Sequence, residues 1–243
     1  MSRIVSLVPS ITELVCDLGL AEQLVGRTGF CIHPKDALRK IPKVGGTKSV
    51  NLDKVRALAP THVIVNVDEN RKETADALAE FVPNLIVTHP LAPLDNLVLY
   101  RQIGKAFGKA REAEKLCASF SSVLESISGN SFPKRKVVYL IWKDPWMTVS
   151  RDTYVSRTLQ LFGLNTVPAQ AGRRYPELED LEALDADLVL LSTEPYRFRE
   201  QHRAELESTL RKPVLLIDGE MTSWYGSRAI QGLRYLADFS ARL

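Results

Sequence analysis

LDKVRALAPTHVIV, Leu52 to Val65, sets the fold of this chain, because a second version of it, LEDLEALDADLVLL, runs from Leu178 to Leu191. The two share their apolar positions and the pairs Ala57-Leu58 and Ala183-Leu184, at an offset of 126 residues. Working outward, Arg3 to Ser10 (RIVSLVPS) matches Lys136 to Lys143 (KVVYLIWK). Each is followed by a helical pattern that closes on Gly-Leu, at Gly19-Leu20 and Gly163-Leu164. A third apolar run ends each half, Leu85 to Thr88 and Val214 to Ile217. Short apolar runs alternating with helical patterns predict parallel strands in β/α units. The chain therefore reads as two pseudo-symmetric α/β lobes with parallel sheets.

Between the copies lies a helical run, Leu94 to Ile127. Leu99, Ile103, Ala106, Ala110, Ala113, Cys117, Phe120, Leu124 and Ile127 recur at steps of four and three, which is one apolar stripe on a helix. Gly104 and Gly108 interrupt it, so the pattern predicts a first helix ending near Phe107, Gly108 as its left-handed stop, and a second helix from Ala110 to Ser128. At 1.5 Å per residue that second helix is about 28 Å long, enough for a strut between lobes. The predicted parts are an N-terminal lobe over 1–93, an interlobe helical segment over 94–130 and a C-terminal lobe over 131–243.

Composition narrows the function classes. A 243-residue chain with 45% hydrophobic and 25% charged residues is ordinary for a globular protein. A net charge of +3, with Lys134-Arg135-Lys136 as the densest basic run, predicts no nucleic-acid partner. No apolar stretch reaches the length of a transmembrane segment. The first strand begins at Arg3 with no charged, apolar and small-residue leader before it, which predicts a cytoplasmic chain or one whose leader was removed. Three scattered cysteines, Cys16, Cys31 and Cys117, fit reduced thiols better than a disulfide framework.

Ser10, with Glu13 three residues on, forms a capping-box pattern for a helix from Ile11 to Leu18. The same turn also falls at the carboxyl edge of a parallel sheet, where ligands of open α/β sheets bind. Phe30, Cys31 and His33 share the next loop; Cys31 and His33 are spaced to reach a soft metal, yet a closed site needs further ligands and the plain loop reading is favoured. Gly45-Gly46-Thr47-Lys48-Ser49 lacks the glycines of a phosphate loop and leaves Thr47 and Lys48 as rim residues. Asn51 is the cap of a helix that Pro60 ends. His62 occupies the place of Leu188 in the other copy and is read as a packed histidine; His89 stays open; His202 is read as solvated.

In the second copy, Trp142-Lys143-Asp144-Pro145-Trp146 places two tryptophans on a turn after a strand. Either they wedge into their own lobe or they form a ligand wall. Asp152 or Thr153 opens the helix that follows. The last strand leads into Asp218 to Arg228, where Trp224 and Tyr225 make a second aromatic wall and Arg228 either meets an anionic ligand edge or pairs with Asp218.

SLVPSITEL at Ser6 to Leu14, VGGTKSVNLDKVRALAPTHVI from Val44, the interlobe helix, the W-x-x-x-W pair and SWYGSR at Ser223 to Arg228 together resemble the class III substrate-binding proteins of ABC importers. Among these the vitamin B12-binding proteins, also called helical-backbone metal receptors, are the most similar. The resemblance implies two lobes that clamp a metal chelate, either a corrinoid such as cobalamin or an iron-siderophore or haem. It implies ligand contacts at Pro9, Ser10, Phe30, Lys48, Asn66, Trp146, Trp224 and Arg228, to which the aromatic walls add Trp142 and Tyr225. Lys48 and Asn66 stand where the B12-binding members carry tryptophans. The resemblance also implies periplasmic location and docking on an ABC permease through one acidic residue per lobe, and Glu73 and Glu200 stand 127 apart, close to the repeat offset. A monomer that needs no cofactor, holds no directly bound metal (Cys31, His33 and His89 being the weak candidates) and has no catalytic residue is expected. The alternatives are a cytoplasmic tetrapyrrole- or corrinoid-processing enzyme and an intracellular sensor; against an enzyme, the chain lacks G-x-S-x-G, H-E-x-x-H and a dinucleotide fingerprint.

Overall fold

The structure, a computed structural model, describes residues 2–243. The first four strands, β1 (Ile4–Ser6), β2 (Leu24–Arg27), β3 (His62–Asn66) and β4 (Asn84–Thr88), form one sheet in the order β2-β1-β3-β4, with every pair parallel. The next four, β5 (Arg135–Leu140), β6 (Leu164–Thr166), β7 (Leu188–Ser192) and β8 (Val214–Ile217), repeat that order as β6-β5-β7-β8, again parallel throughout. The repeat extends to register. Ile4 pairs with His62 in the first sheet, and their sequence counterparts Val137 and Leu188 pair in the second. His62 is the packed residue its register requires: its ring lies 4.8 Å from that of Phe107, and partial burial lowers its pKa.

The helices are α1 (Pro9–Asp17), α2 (Lys35–Leu38), α3 (Leu52–Ala57), α4 (Lys72–Ala79), α5 (Asp95–Ala106), α6 (Ala110–Ser128), α7 (Tyr154–Gln160), α8 (Glu200–Leu210), α9 (Gly219–Ser223) and α10 (Arg228–Ser240). Among the described residues no helix is long and apolar enough to cross a membrane. Two compact units result. The first takes the described residues up to Pro90 with Asn96–Ala118 and Tyr225–Arg228; the second takes Leu91–Asp95, Ser119–Trp224 and Ala229–Leu243. Compared with the expected boundaries, the helical segment is divided after Ala118 instead of standing as a third part, and four residues near the C-terminus join the first unit. Each unit has its own core, Val5, Val55, Val63, Val65 and Leu78 in the first, Val138, Leu140, Val189, Leu191 and Phe198 in the second.

Local chemistry explains where the copies agree and where they part. Gly19 and Gly163 both carry positive φ, 73° and 77°, which ends the helix before β2 and before β6. Gly108 does the same between α5 and α6, at 67°. The expected stripe is broken there, since Ala106 and Ala110 are exposed; a Cβ on Gly104 would come within 2.6 Å of the Ala113 Cβ, so that close approach needs glycine. Asn51 caps α3 as expected, its Oδ1 accepting from the Lys54 N–H at 2.9 Å. The matching stretch in the second copy is not helical. Asp180 Oδ1 accepts from the N–H groups of Glu182 and Ala183, at 2.9 and 3.1 Å, and this local turn competes with a helix.

Two further expectations are corrected. α1 opens two residues earlier than a Ser10 cap allows, with Val8 at the cap position and Pro9 inside the first turn. Proline's fixed φ and missing N–H suit that place, so the capping box does not form and Glu13 is used elsewhere. His202 is buried, not solvated: its Nδ1 accepts from the Arg199 N–H at 2.9 Å, and its ring packs edge-on against Tyr196 and Phe198. Thr153, rather than Asp152, caps α7 through the Ser156 N–H.

Candidate functional site

In both sheets the chain leaves the central strand for opposite sides, so the carboxyl ends of β1 and β3, and of β5 and β7, are switch points of the kind where open parallel sheets bind ligands. The two edges are built differently.

At the first edge, polar bonds shape the turns. Asn66, at the end of β3, is almost fully buried: its Oδ1 accepts from the N–H groups of Asp68 and Glu69 at 2.8 and 3.2 Å, and its Nδ2 donates to the Thr88 carbonyl at 3.1 Å. Its amide is thereby committed to the turn. Asn70 completes the turn by donating to the carbonyls of Thr47, at 3.0 Å, and Leu7, at 3.3 Å. Lys48 Nζ donates to the Asp68 carbonyl at 2.7 Å, and His89 Nε2 lies 3.5 Å from Asp68 Oδ2. Tyr225 donates its phenol to the Glu69 carboxylate, and burial beside that carboxylate holds the phenol well above the usual tyrosine range.

Ser10 is buried in the first turn of α1, beside Pro9. Three residues on, Glu13 takes the Arg228 guanidinium through two bonds, Nε to Oε2 at 2.7 Å and Nη2 to Oε1 at 2.6 Å. Arg228 thus pairs with Glu13, not Asp218, and two of its donors are spent. Gly226, with φ of 82°, donates its N–H to Asn96 Oδ1 at 2.7 Å and accepts from the Tyr100 hydroxyl at 2.8 Å. A Cβ at Gly226 would stand 3.1 Å from the Ser10 carbonyl, so the segment after Tyr225 lies against the first turn of α1. Phe30 projects from the loop after β2 with 62% of its surface exposed.

Cys31 is a core residue. Its Sγ lies 3.0 Å from Thr12 Oγ1 and 3.1 Å from Thr28 Oγ1, and burial pushes its pKa up. A thiol kept protonated in this way is a poor metal ligand. Among the described residues no cluster of three or more His, Cys, Asp or Glu side chains could hold a metal, so Cys31, His33 and His89 do not form a centre.

Aromatic rings dominate the second edge. The turn after β5 is closed by Ile141 N–H to Met147 O at 2.9 Å and Met147 N–H to Trp142 O at 3.2 Å. Trp142 is 41% exposed and meets Tyr196 edge-on at 5.5 Å. Trp146 stacks on Phe198 with centroids 6.2 Å apart and backs onto the core of its own unit. The first tryptophan fits a ligand wall and the second the wedge.

Sequence reasoning missed two groups here. The loop after β6 is laced to the loop after β5 by Thr148 N–H to Pro176 O and Ser150 N–H to Arg174 O, both at 3.0 Å. It carries exposed Arg173 and Arg174 and a Tyr175 that is 47% exposed. Gly172-Arg173-Arg174-Tyr175 was a visible signal: a glycine turn followed by two cations and an aromatic. The other group is Glu194, which accepts from Trp224 Nε1 at 2.6 Å and from Ser223 Oγ at 3.1 Å. Burial raises its pKa to about 7. Nothing in sequence marked it.

Glu73 and Glu200 sit in the first turns of α4 and α8, the helices that follow β3 and β7 in the two units. Both are exposed, and Glu200 pairs with Arg203 of its own helix.

Comparison with known proteins bears on the whole chain. The periplasmic binding protein family profile matches residues 4–213. The ABC transporter substrate-binding lipoprotein YvrC of Bacillus subtilis (strain 168), itself uncharacterized, is 27% identical, over 97% of this chain and 79% of its own. Two solved structures share the fold. The periplasmic vitamin B12-binding protein BtuF of Vibrio cholerae superimposes with a TM-score of 0.84 at 17% identity, covering 99% of this chain and 97% of its own. The apo periplasmic heme-binding protein RhuT of Roseiflexus sp. RS-1 gives 0.83 at 23% identity, covering 98% and 97%. This chain belongs to the periplasmic binding protein family, as a class III, non-enzymatic substrate-binding component of an ABC importer.

Proposed function

We propose that the cargo is a flat metal chelate, a haem, corrinoid or iron-siderophore, bound by side chains in the loops at the carboxyl ends of the strands. One observation carries this reading: large rings stand exposed in the loops that follow the strands, Phe30 after β2 in the first unit and Trp142 and Tyr175 after β5 and β6 in the second. A flat ligand offers such rings a face, and its polar rim suits Lys48, Arg173 and Arg174. The two superimposable proteins are named for vitamin B12 and heme, which fits the same class of cargo. Location in the periplasm follows the family.

Titrating the purified protein with cyanocobalamin, haem and ferric siderophores, followed by tryptophan quenching, tests the reading. Saturable quenching by one of them, weakened at least tenfold in Trp142→Ala, is expected; no quenching by any of the three overturns it. Glu73 and Glu200 are the proposed permease contacts, supported by their matching places on α4 and α8. Changing both to Ala is expected to leave ligand titration intact and abolish uptake through the cognate permease. Undiminished uptake refutes that assignment.

A further inference from the structure

Glu194 leaves the carboxyl end of β7 two residues after Ser192, and the backbone there is tightly held. Ser192 donates its hydroxyl to the Glu194 carbonyl at 2.6 Å and accepts from the Tyr139 phenol at 2.9 Å, while Thr193 Oγ1 accepts from the Gly219 N–H at 2.9 Å. The Glu194 side chain lies over Gly219, where a Cβ would stand 2.5 Å from its Cγ. Only glycine at 219 leaves room for it. Folded over that glycine, the carboxylate reaches Trp224 Nε1 and Ser223 Oγ.

An indole has a single N–H donor, so holding it sets the direction in which that edge of the ring points. A charged acceptor makes that bond roughly twice as strong as a neutral one. The groups facing the carboxyl are acidic: Asp218 and Glu220, at the start of α9, both oppose its ionisation, with Tyr139 behind Ser192. Burial is the larger influence, and together they bring it to about 7.

We propose that Glu194 is the positioning residue of the Trp224 indole and that protonating its carboxyl loosens this ring, making the ligand site sensitive to pH. The effect on ligand rests on the chelate reading above and on the ligand contact that the family resemblance implies for Trp224; the effect on the indole rests on neither. Below neutrality the neutral acid holds the N–H weakly, and above it the carboxylate holds it firmly. Ligand retention is therefore tighter in alkaline than in acidic surroundings.

The first experiment needs no ligand. Tryptophan emission of the intact protein is recorded from pH 5 to 9 for the native chain, Glu194→Gln and Trp224→Phe, with circular dichroism confirming that each is folded. Expected is a transition centred near pH 7 in the native chain that is absent from both variants. A transition unchanged in Glu194→Gln overturns the proposal. The second experiment titrates cyanocobalamin and haem at pH 5.5 and 8. At least a threefold loss of affinity at the lower pH is expected in the native chain and none in Glu194→Gln; equal pH dependence in both removes the link to ligand. If neither of these probes nor a ferric siderophore binds, the chelate reading fails while the emission experiment still decides the role of Glu194.

Discussion

Trp224 and Tyr225 are neighbours in sequence, yet each belongs to a different unit and is tied to a different glutamate: the indole to Glu194, two residues past the end of β7, and the phenol to Glu69, three residues past the end of β3. The two sheets thus use one device at matching positions, a carboxylate on the turn after the third strand that holds an aromatic by its polar atom. What surrounds the device differs. In the first unit a chain of amide bonds through Asn66 and Asn70 builds the turn, and the Arg228–Glu13 pair closes the neighbouring one. In the second the turn rests on rings that meet edge-on or tilted, Trp142, Tyr196, Phe198 and His202. A duplicated fold conserves strand order because the sheet requires it, while the loops at the strand ends remain free to take different chemistry.

The largest test of this contrast is Arg228→Ala. It strands the Glu13 carboxylate, whose side chain is only 16% exposed, and breaking such a pair is expected to cost about 3 kcal/mol in urea denaturation. Adding Glu13→Ala should restore much of that loss, since no lone charge remains. The second unit has a comparable term that depends on pH. Between pH 4.5 and about 7 the folded chain keeps a proton on Glu194 that the unfolded chain has released, so stability falls as pH rises through that window. The fall amounts to roughly 3 kcal/mol at most and should vanish in Glu194→Gln, as read from denaturation midpoints at pH 4.5 and 8.

A smaller effect separates the two copies of the repeat. Asn51→Ala removes a helix cap and should cost about 1 kcal/mol with a loss of helical circular dichroism. Asp180→Ala, at the turn that replaces that helix, should leave the helical signal undiminished. Smallest for stability are Trp142→Ala, expected to cost about 1 kcal/mol through its edge contact with Tyr196, and Phe30→Ala, expected within about 0.5 kcal/mol of the native chain by thermal melting because its ring faces solvent. Their effect should appear instead as weakened ligand quenching. A large stability loss in either would mean that the ring serves packing.

Much of the site was out of reach of pattern reading, and particular residues show why. Asn66 was named only through the family resemblance, as a ligand contact, and only the folded turn showed its amide committed to Asp68, Glu69 and Thr88. Arg228 was identified as an anion seeker; its anion proved to be Glu13, 215 residues away. His202 looked solvated because its helix is polar, yet one face of that helix covers Tyr196 and Phe198.

The sequence by itself determined the duplicated β/α order, the parallel strands, the correspondence of His62 with Leu188, and the break at Gly108, because these depend on period, offset and glycine's tolerance of positive φ, all local properties of the chain. Only the tertiary structure decided which carboxylate each aromatic and each arginine meets, and which copy keeps its helix after the second strand. Those choices turn on burial and on partners brought together from far along the chain, which no local pattern encodes.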